Sequence, residues 1–156
     1  MFWTDEILKI WCHSDYAKEN YVEEPFDEAS LNEVQEALGY QLPESYVDLM
    51  KHQNGGLLKD VFVDVKIDRY ETRKVQLGGL YAIHMDQIVD ENHYAKETYP
   101  DIGVCIGDLM DDSDEHIALD YGYDEPKVVF ISEAYDFEKT VIAESFELFV
   151  TMILKK

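Results

Sequence analysis

The chain has 156 residues, of which 46% are hydrophobic and 13% aromatic, so the composition excludes a disordered polypeptide and suits one globular domain. Its 34 acidic residues against 13 Lys and Arg give a net charge of -21, which excludes a surface for nucleic acid or for anionic membranes. The 2 cysteines are too few for a disulfide framework or a zinc site.

The chain carries no signal for export or membrane insertion. No apolar run approaches the roughly 18 residues of a membrane span. Asp5 and Glu6 stand where a secretory signal requires basic residues. The sequence also has no repeat, low-complexity tract or Gly/Ser linker. We therefore predict a cytoplasmic protein that forms one domain over residues 1–156.

Two helices are predicted in the first 40 residues. Thr4 is a candidate N-cap for the first, with acidic residues in its first turn. Residues 13–25 are polar and aromatic, which indicates an irregular or partly helical arm. The second helix is predicted to begin after Asp27 and to end at Gly39. Its core-facing stripe has helical spacing and consists of Leu31, Val34 and Leu38.

A third helix is predicted within "YQLPESYVDLMKHQNGG" (residues 40–56). Pro43 suits its first helical position, and Asn54 and Gly55 tolerate the left-handed conformation that ends a helix. A phosphate-binding loop instead precedes its helix, so that free N–H groups point at the anion. We interpret the loop as a structural feature that ends the helix, and we predict structural roles for Leu42, Pro43, Asn54, Gly55 and Gly56.

The remainder of the chain is predicted to be rich in strands. Residues 61–67 alternate apolar and polar side chains, and residues 75–81 form a second strand that Gly78 and Gly79 weaken or bulge. Residues 84–99 favour two short helical pieces. Three further strands follow as "IGVCI", "HIALDY" and "KVVFI", and Ser145 caps a closing helix. The predicted fold is α+β: a mixed, largely antiparallel sheet packed by N-terminal helices and a C-terminal helix.

No motif in the chain predicts catalysis, a cofactor or a metal. The acidic run over residues 108–115 lacks the turn glycine and the distant glutamate of a calcium loop, so a solvated hairpin loop is the better interpretation. The histidines are scattered without metal-ligand spacing. Cys105 lies in an apolar strand, and neither a GxSxG elbow nor a dinucleotide fingerprint is present.

The distribution of charge is the most informative feature of the sequence. Residues 19–50 contain nine acids, and residues 97–126 contain ten, with no Lys or Arg in either window. Residues 51–74, by contrast, contain six bases against four acids. Net charge alone favours solubility, which is one explanation. The other is a surface for a cationic partner, which would raise the association rate.

We place the predicted binding surface between residues 108 and 125. This segment holds eight carboxylates and no base, and Tyr121 and Tyr123 flank Gly122 in a predicted hairpin turn. Exposed tyrosines supply the apolar anchors that charges alone lack. The predicted partner-binding residues are Asp108, Asp111, Asp112, Asp114, Glu115, Tyr121, Tyr123 and Asp124.

One combination of motifs resembles a known family. The N-terminal part of the combination consists of Glu36, Leu38, Gly39, Leu42, Pro43, Tyr46, Leu49 and Asn54-Gly55-Gly56. "IGD", "IALDY", "VVFI" and "AESFELFV" follow in order. Together they resemble the SUKH superfamily, the fungal cell-wall assembly regulators and their bacterial relatives. Residues 109–114 depart from the pattern, because many members have glycines there.

The resemblance implies an α+β fold without catalysis or a cofactor. In bacteria it implies an immunity protein that binds and blocks a secreted polymorphic toxin, often a nuclease or deaminase. A nuclease presents a basic cleft to phosphates, and dense carboxylates could occupy that cleft as a nucleic-acid mimic. We therefore predict a basic protein toxin as the partner. The alternative is a regulatory scaffold of the fungal type, which binds signalling or cell-wall proteins.

Overall fold

Helices occupy the first third of the chain and a sheet most of the remainder. A computed structural model describes residues 2–110 and 114–155, so the predicted binding residues Asp111 and Asp112 lie outside the described residues. The helices are a 3-10 helix Asp5–Ile10, α1 Asp15–Tyr21, α2 Glu28–Leu38, α3 Glu44–His52, a π-helix Met85–Val89, α4 Asp90–Thr98, a 3-10 helix Glu133–Tyr135 and α5 Phe146–Leu154. The strands are β1 Gly56–Leu57, β2 Phe62–Lys66, β3 Thr72–Leu80, β4 Val104–Leu109, β5 His116–Asp120, β6 Lys127–Ile131 and β7 Lys139–Ala143.

Local capping explains where most helices begin. The Asp27 carboxylate accepts a hydrogen bond from Ser30 N at 2.8 Å, and the Ser145 hydroxyl accepts one from Leu148 N at 3.1 Å, as predicted. Gly39 ends α2 in the left-handed conformation with φ of 80°. Two predictions were wrong in detail. Thr4 makes no side-chain cap and precedes a 3-10 helix, and Pro43 is the N-cap of α3 instead of its first helical residue.

The sheet runs in the order β1-β3-β4-β5-β6-β7, and β2 pairs with the other half of β3. Every pairing among the described strands is antiparallel, so the parallel part of a mixed sheet is not found among them. The predicted irregularity at Gly78 and Gly79 is confirmed, because the register of β3 against β4 shifts between Leu77 and Leu80. The α+β prediction is confirmed.

The central strands are covered on both faces. Ile117, Ala118 and Leu119 of β5 are all buried, although neighbouring side chains of a strand point to opposite faces. Helices α3 and α5 meet within the core, where the Tyr46 and Phe146 ring centroids lie 4.8 Å apart. As predicted, Tyr46 is a core residue, and its hydroxyl donates to the Tyr81 carbonyl at 2.5 Å. Partners can therefore reach the central strands mainly at the ends of those strands.

Candidate functional site

The predicted binding residues lie at the two ends of β5. Asp114 and Glu115 precede the strand, whereas Tyr121, Tyr123 and Asp124 follow it. Five residues of strand separate these groups by about 16 Å at 3.3 Å per residue. We call the first group, together with Asp108, the loop end, and the second group the turn end.

Asp108 at the loop end is half-buried beside β3. It lies opposite His116 in the β4–β5 register, and its carboxylate accepts a hydrogen bond from Gly79 N at 3.2 Å. Burial raises the pKa of Asp108 above its ordinary value, although the hydrogen bond from Gly79 opposes the shift. Burial and the charge of Asp108 also raise the pKa of Glu91 on α4. Negative charge is therefore crowded at this end of the sheet.

We expect Asp108→Asn to stabilise the fold by about 0.5–1 kcal/mol at pH 7. Because the pKa of Asp108 is raised in the folded state, that state holds the proton more tightly than the unfolded chain, and the charged carboxyl destabilises the fold at neutral pH. The destabilisation by the charged carboxyl disappears as the pH falls through the raised pKa of the folded state towards the pKa of Asp108 in the unfolded chain. Urea unfolding should therefore give Asp108→Asn a higher free energy of unfolding than wild type at pH 7. The difference should disappear near pH 4, about the pKa of aspartate in an unfolded chain.

The matched control for this prediction is Asp124→Asn at the exposed turn end. Its free energy of unfolding should stay within about 0.5 kcal/mol of wild type. A stability gain of the same size at both positions would contradict the assignment to burial and indicate general charge repulsion.

Glu115 is not an exposed recognition residue, which corrects the expectation from sequence. Its side chain is 5% exposed and forms two hydrogen bonds with the Arg73 guanidinium, at 2.6 and 2.7 Å. Burial alone would raise the pKa of Glu115, but hydrogen bonds from Arg73 and Ser132 and the charge of Arg73 lower it below its ordinary value. Hydrogen bonding to Glu115 raises the pKa of Arg73 in turn. The pair joins β3 to the start of β5.

Asp114 is exposed at the loop end. Its backbone carbonyl accepts a hydrogen bond from the Tyr99 hydroxyl at 2.9 Å. The same hydroxyl accepts one from Glu133 N at 2.8 Å. Tyr99 itself is buried, so it fixes the backbone on both sides of this end of the sheet.

The turn end is aromatic and partly neutralised by lysines. Tyr123 is 46% exposed, and Lys127 Nζ lies 4.2 Å from its ring centroid. Lys139 Nζ lies 3.5 Å from an Asp120 carboxylate oxygen. Asp124 is exposed in the turn. The expectation that at least one tyrosine of this turn is exposed is confirmed.

Tyr121 joins the two acidic windows of the sequence in space. Its ring stacks on Tyr40, with centroids 4.4 Å apart, and its hydroxyl donates to the Gln41 carbonyl at 2.7 Å. Tyr40 follows α2 in the first window, whereas Tyr121 follows β5 in the second. The two windows therefore touch at this contact, where Lys96 Nζ also lies 5.9 Å from the Tyr40 ring centroid.

The polar groups of the loop after α3 form hydrogen bonds within the protein. The buried Asn54 side chain accepts from Ile83 N at 2.8 Å and donates to the Glu24 carbonyl at 2.9 Å. Gly55 has φ of 85°, and its N–H bonds to the Met50 sulfur. Gly56 pairs with Leu80 in the sheet. Leu42 is buried ahead of the Pro43 cap. These N–H groups do not form an anion site.

The structure brings together a thiol and an imidazole that the sequence analysis did not connect. Cys105 Sγ lies 3.4 Å from His116 Nδ1, because β4 and β5 are neighbours. Cys105 is fully buried, and burial raises its thiol pKa far above the ordinary value. A nucleophilic thiolate is therefore disfavoured at this position.

Two further features bear on function. Across residues 2–110 and 114–155, no cluster of three or more His, Cys, Asp or Glu side chains has an arrangement suited to a metal ion. Every helix in those residues is too short or too polar to span a lipid bilayer.

A family model described as the SMI1 / KNR4 family (SUKH-1) matches residues 25–152. No curated protein matches the chain. The matched stretch contains α2, α3, all seven strands and both ends of β5.

Proposed function

Since the chain belongs to the SMI1 / KNR4 family (SUKH-1), we propose that it is a non-catalytic immunity protein that neutralises a cognate basic, nuclease-like toxin. Proteins of this family are generally immunity or regulatory proteins. The proposal places the protein in the cytoplasm, where it would bind the toxin through its acidic surface.

The observation that carries the proposal is the contact between Tyr40 and Tyr121. Their stacking brings the two windows, which in sequence hold nineteen acids and no Lys or Arg, into contact, and we infer that both contribute to one acidic surface, which Lys96 borders at Tyr40. A net charge of -21 could serve solubility alone, but solubility does not require the bases to be absent from two windows that meet. An acidic surface with tyrosines suits a basic protein partner, because charge steers the encounter and aromatic area stabilises the complex.

The two ends of β5 support different parts of this interaction. At the turn end, Lys139 pairs with Asp120 and Lys127 lies against the Tyr123 ring, which leaves the exposed Tyr123 as the main contribution of this end. The loop end combines the carboxylates of Asp108 and Asp114 with the nearby Glu91 of α4. We assign electrostatic steering to the loop end and apolar contact to the turn end.

We expect the triple variant Asp111→Asn, Asp112→Asn, Asp114→Asn to lower the association rate with the toxin about three- to tenfold at low salt. The dissociation rate should change less, and the salt dependence of association should flatten, because fewer charges steer the encounter. Stopped-flow or biosensor kinetics against ionic strength would measure both. The protein to test as the toxin is the C-terminal module of any large secreted protein that is encoded beside this gene.

The matched control neutralises three acids of the first window: Glu23→Gln, Glu24→Gln and Glu28→Gln. If only this control slows association, the binding surface lies on the N-terminal helices instead. Failure of the purified protein to bind or inhibit the toxin module would overturn the immunity function. It would favour the second candidate, a regulatory scaffold of the fungal cell-wall-regulator type.

A further inference from the structure

The residues that precede the first 3-10 helix lie as a strap against α3, and we call residues 2–4 the strap. The backbone N–H groups of Phe2 and Trp3 both donate to the Asp48 carboxylate, at 3.0 and 3.1 Å. The Trp3 indole N–H donates to the Ser45 carbonyl at 3.0 Å, and the Trp3 side chain is buried. These hydrogen bonds are all made to α3, so they fasten the strap to a single helix.

His52, the last residue of α3, makes a further contact with the strap. Its Nε2 lies 3.1 Å from the Trp3 carbonyl oxygen and 3.9 Å from an Asp48 carboxylate oxygen. Its Nδ1 lies 3.6 Å from an Asp5 carboxylate oxygen. Because carbonyl and carboxylate oxygens only accept hydrogen bonds, both ring nitrogens of His52 face acceptors.

A neutral imidazole does not match these surroundings. It carries one N–H and has a lone pair on the other ring nitrogen. If Nε2 of His52 donates to the Trp3 carbonyl, the lone pair of Nδ1 faces the Asp5 carboxylate. The imidazolium instead carries an N–H on both nitrogens, and its positive charge attracts the two nearby carboxylates. The contacts around His52 are therefore more favourable when the ring is protonated.

The charged groups closest to the His52 ring are both acidic. Among residues 2–110 and 114–155, only Asp5 of the first 3-10 helix and Asp48 of α3 place a carboxylate oxygen within 4 Å of its ring nitrogens. The other charged side chains of α3 and of the elements packed against it, the first 3-10 helix and α5, are Glu6, Lys9, Glu44, Lys51 and Glu147. The nearest carboxylates therefore favour a positive charge on the ring.

The strap also forms one wall of a cavity between α2 and α3. Phe2 lines this cavity of about 410 Å³ together with Leu31, Leu42 and polar side chains that include Gln35. Opening of the strap would remove this wall. The family model matches residues 25–152, which contain both helices but not the strap. The strap therefore adds a wall to a cavity that otherwise belongs to the matched domain.

We propose that the strap is a pH-sensitive latch, which is held more tightly on α3 when His52 is protonated. Histidine is the side chain whose charge ordinarily changes between about pH 5 and 8. The contacts of the imidazolium are fully present at the acidic end of that range and are lost as the pH rises through it. The latch therefore holds Phe2 over the cavity in mildly acidic conditions and loosens at alkaline pH. This inference does not depend on the proposed function.

The test is hydrogen exchange of the two tryptophan indole N–H groups, followed by NMR and corrected for the intrinsic exchange rate at each pH. Trp3 reports on the strap, whereas the fully buried Trp11 reports on the core. We expect the protection of Trp3, relative to that of Trp11, to be about threefold greater at about pH 5.5 than at about pH 8. No change with pH, or an equal change at both indoles, would overturn the proposal.

Two variants assign the pH effect to His52. His52→Gln retains an N–H donor for the Trp3 carbonyl but cannot be protonated, so the protection of Trp3 should no longer depend on pH. Asp5→Asn keeps His52 and its contact with Trp3, and it should reduce the pH effect to less than about twofold. The Asp5 side chain is 97% exposed, so this change should leave the fold intact. A pH effect of wild-type size in either variant would contradict the latch.

His13→Gln is the matched control. His13 Nε2 also contacts a backbone carbonyl, that of Leu8, at 2.8 Å, but no carboxylate of the described residues pairs with its ring. This variant should retain the whole pH effect at Trp3. Loss of the effect in His13→Gln would show that the strap responds to a histidine other than His52 and would overturn the proposal.

Discussion

Gly55→Ala is expected to lower the free energy of unfolding by about 3–4 kcal/mol. Left-handed backbone is unfavourable for any residue with a Cβ, and Gly55 has φ of 85°. A Cβ at this position would also lie 2.7 Å from the Tyr21 carbonyl oxygen and 2.9 Å from Ala82 N. Since both are backbone atoms, neither can rotate away. Urea unfolding followed by tryptophan fluorescence measures the loss.

Gly39 provides the matched control. Its φ of 80° is nearly the same, but no atom lies within 4 Å of a Cβ added there. Gly39→Ala should therefore cost only about 1 kcal/mol, from backbone conformation alone. An equal loss in the two variants would contradict the role of close packing around Gly55. Binding to the partner should survive in either variant once it is folded.

Glu115→Gln is expected to lower the free energy of unfolding by about 2–3 kcal/mol at pH 7. The substitution leaves the Arg73 charge without its carboxylate partner, while the amide keeps a similar shape. The expected loss is below that of a fully buried pair, because the Arg73 side chain is 31% exposed. Thermal or urea unfolding measures the difference.

The loss should depend on pH. The pKa of Glu115 is lowered in the folded state, so its stabilising contribution is fully present above the unfolded pKa and disappears as the pH falls through the folded value. Wild type and Glu115→Gln should therefore converge below about pH 4. A difference that persists unchanged at lower pH would contradict an ionic origin.

Two controls test the assignment to a buried pair. Glu144 forms a comparable contact with Lys127 at 2.8 Å, but its side chain is 67% exposed, so Glu144→Gln should cost less than about 0.5 kcal/mol. The double variant Arg73→Met, Glu115→Leu should regain most of the stability lost in Glu115→Gln, because apolar packing replaces the pair.

Helix ends that are determined by capping residues nearby in the sequence could be predicted. Asp27, Gly39 and Ser145 each act within a few positions along the chain, so the bounds of α2 and the start of α5 could be predicted. Strand β7 was missed because its exposure does not alternate and no apolar face marks it. Helix α1 buries only Ala17, which leaves no apolar stripe to recognise.

The candidate site was less predictable because its contacts connect distant positions. Glu115 and Asp114 are neighbours with similar chemistry, yet one is buried and the other exposed. The difference depends on Arg73, which is 42 residues away in the chain. The stacking of Tyr40 on Tyr121 and the hydrogen bonds of the Tyr99 hydroxyl likewise depend on tertiary packing. Charge density led us to predict this region, but only the fold shows that Glu115 is buried whereas Asp114 is exposed.

The order of strands in the sheet has a consequence for how the protein folds. From β4 to β7, each strand pairs with the next strand in the chain over a short connection, so these hairpins can close early, whereas residues 81–103, which include α4, separate β3 from β4. Such sequence-local pairing favours rapid formation of the sheet. The packing of Tyr46 on Phe146 is different, because it unites α3 with α5, which follows every strand. During synthesis, the early helices must therefore wait for α5, and a nascent chain that ends before Phe146 should remain sensitive to proteases.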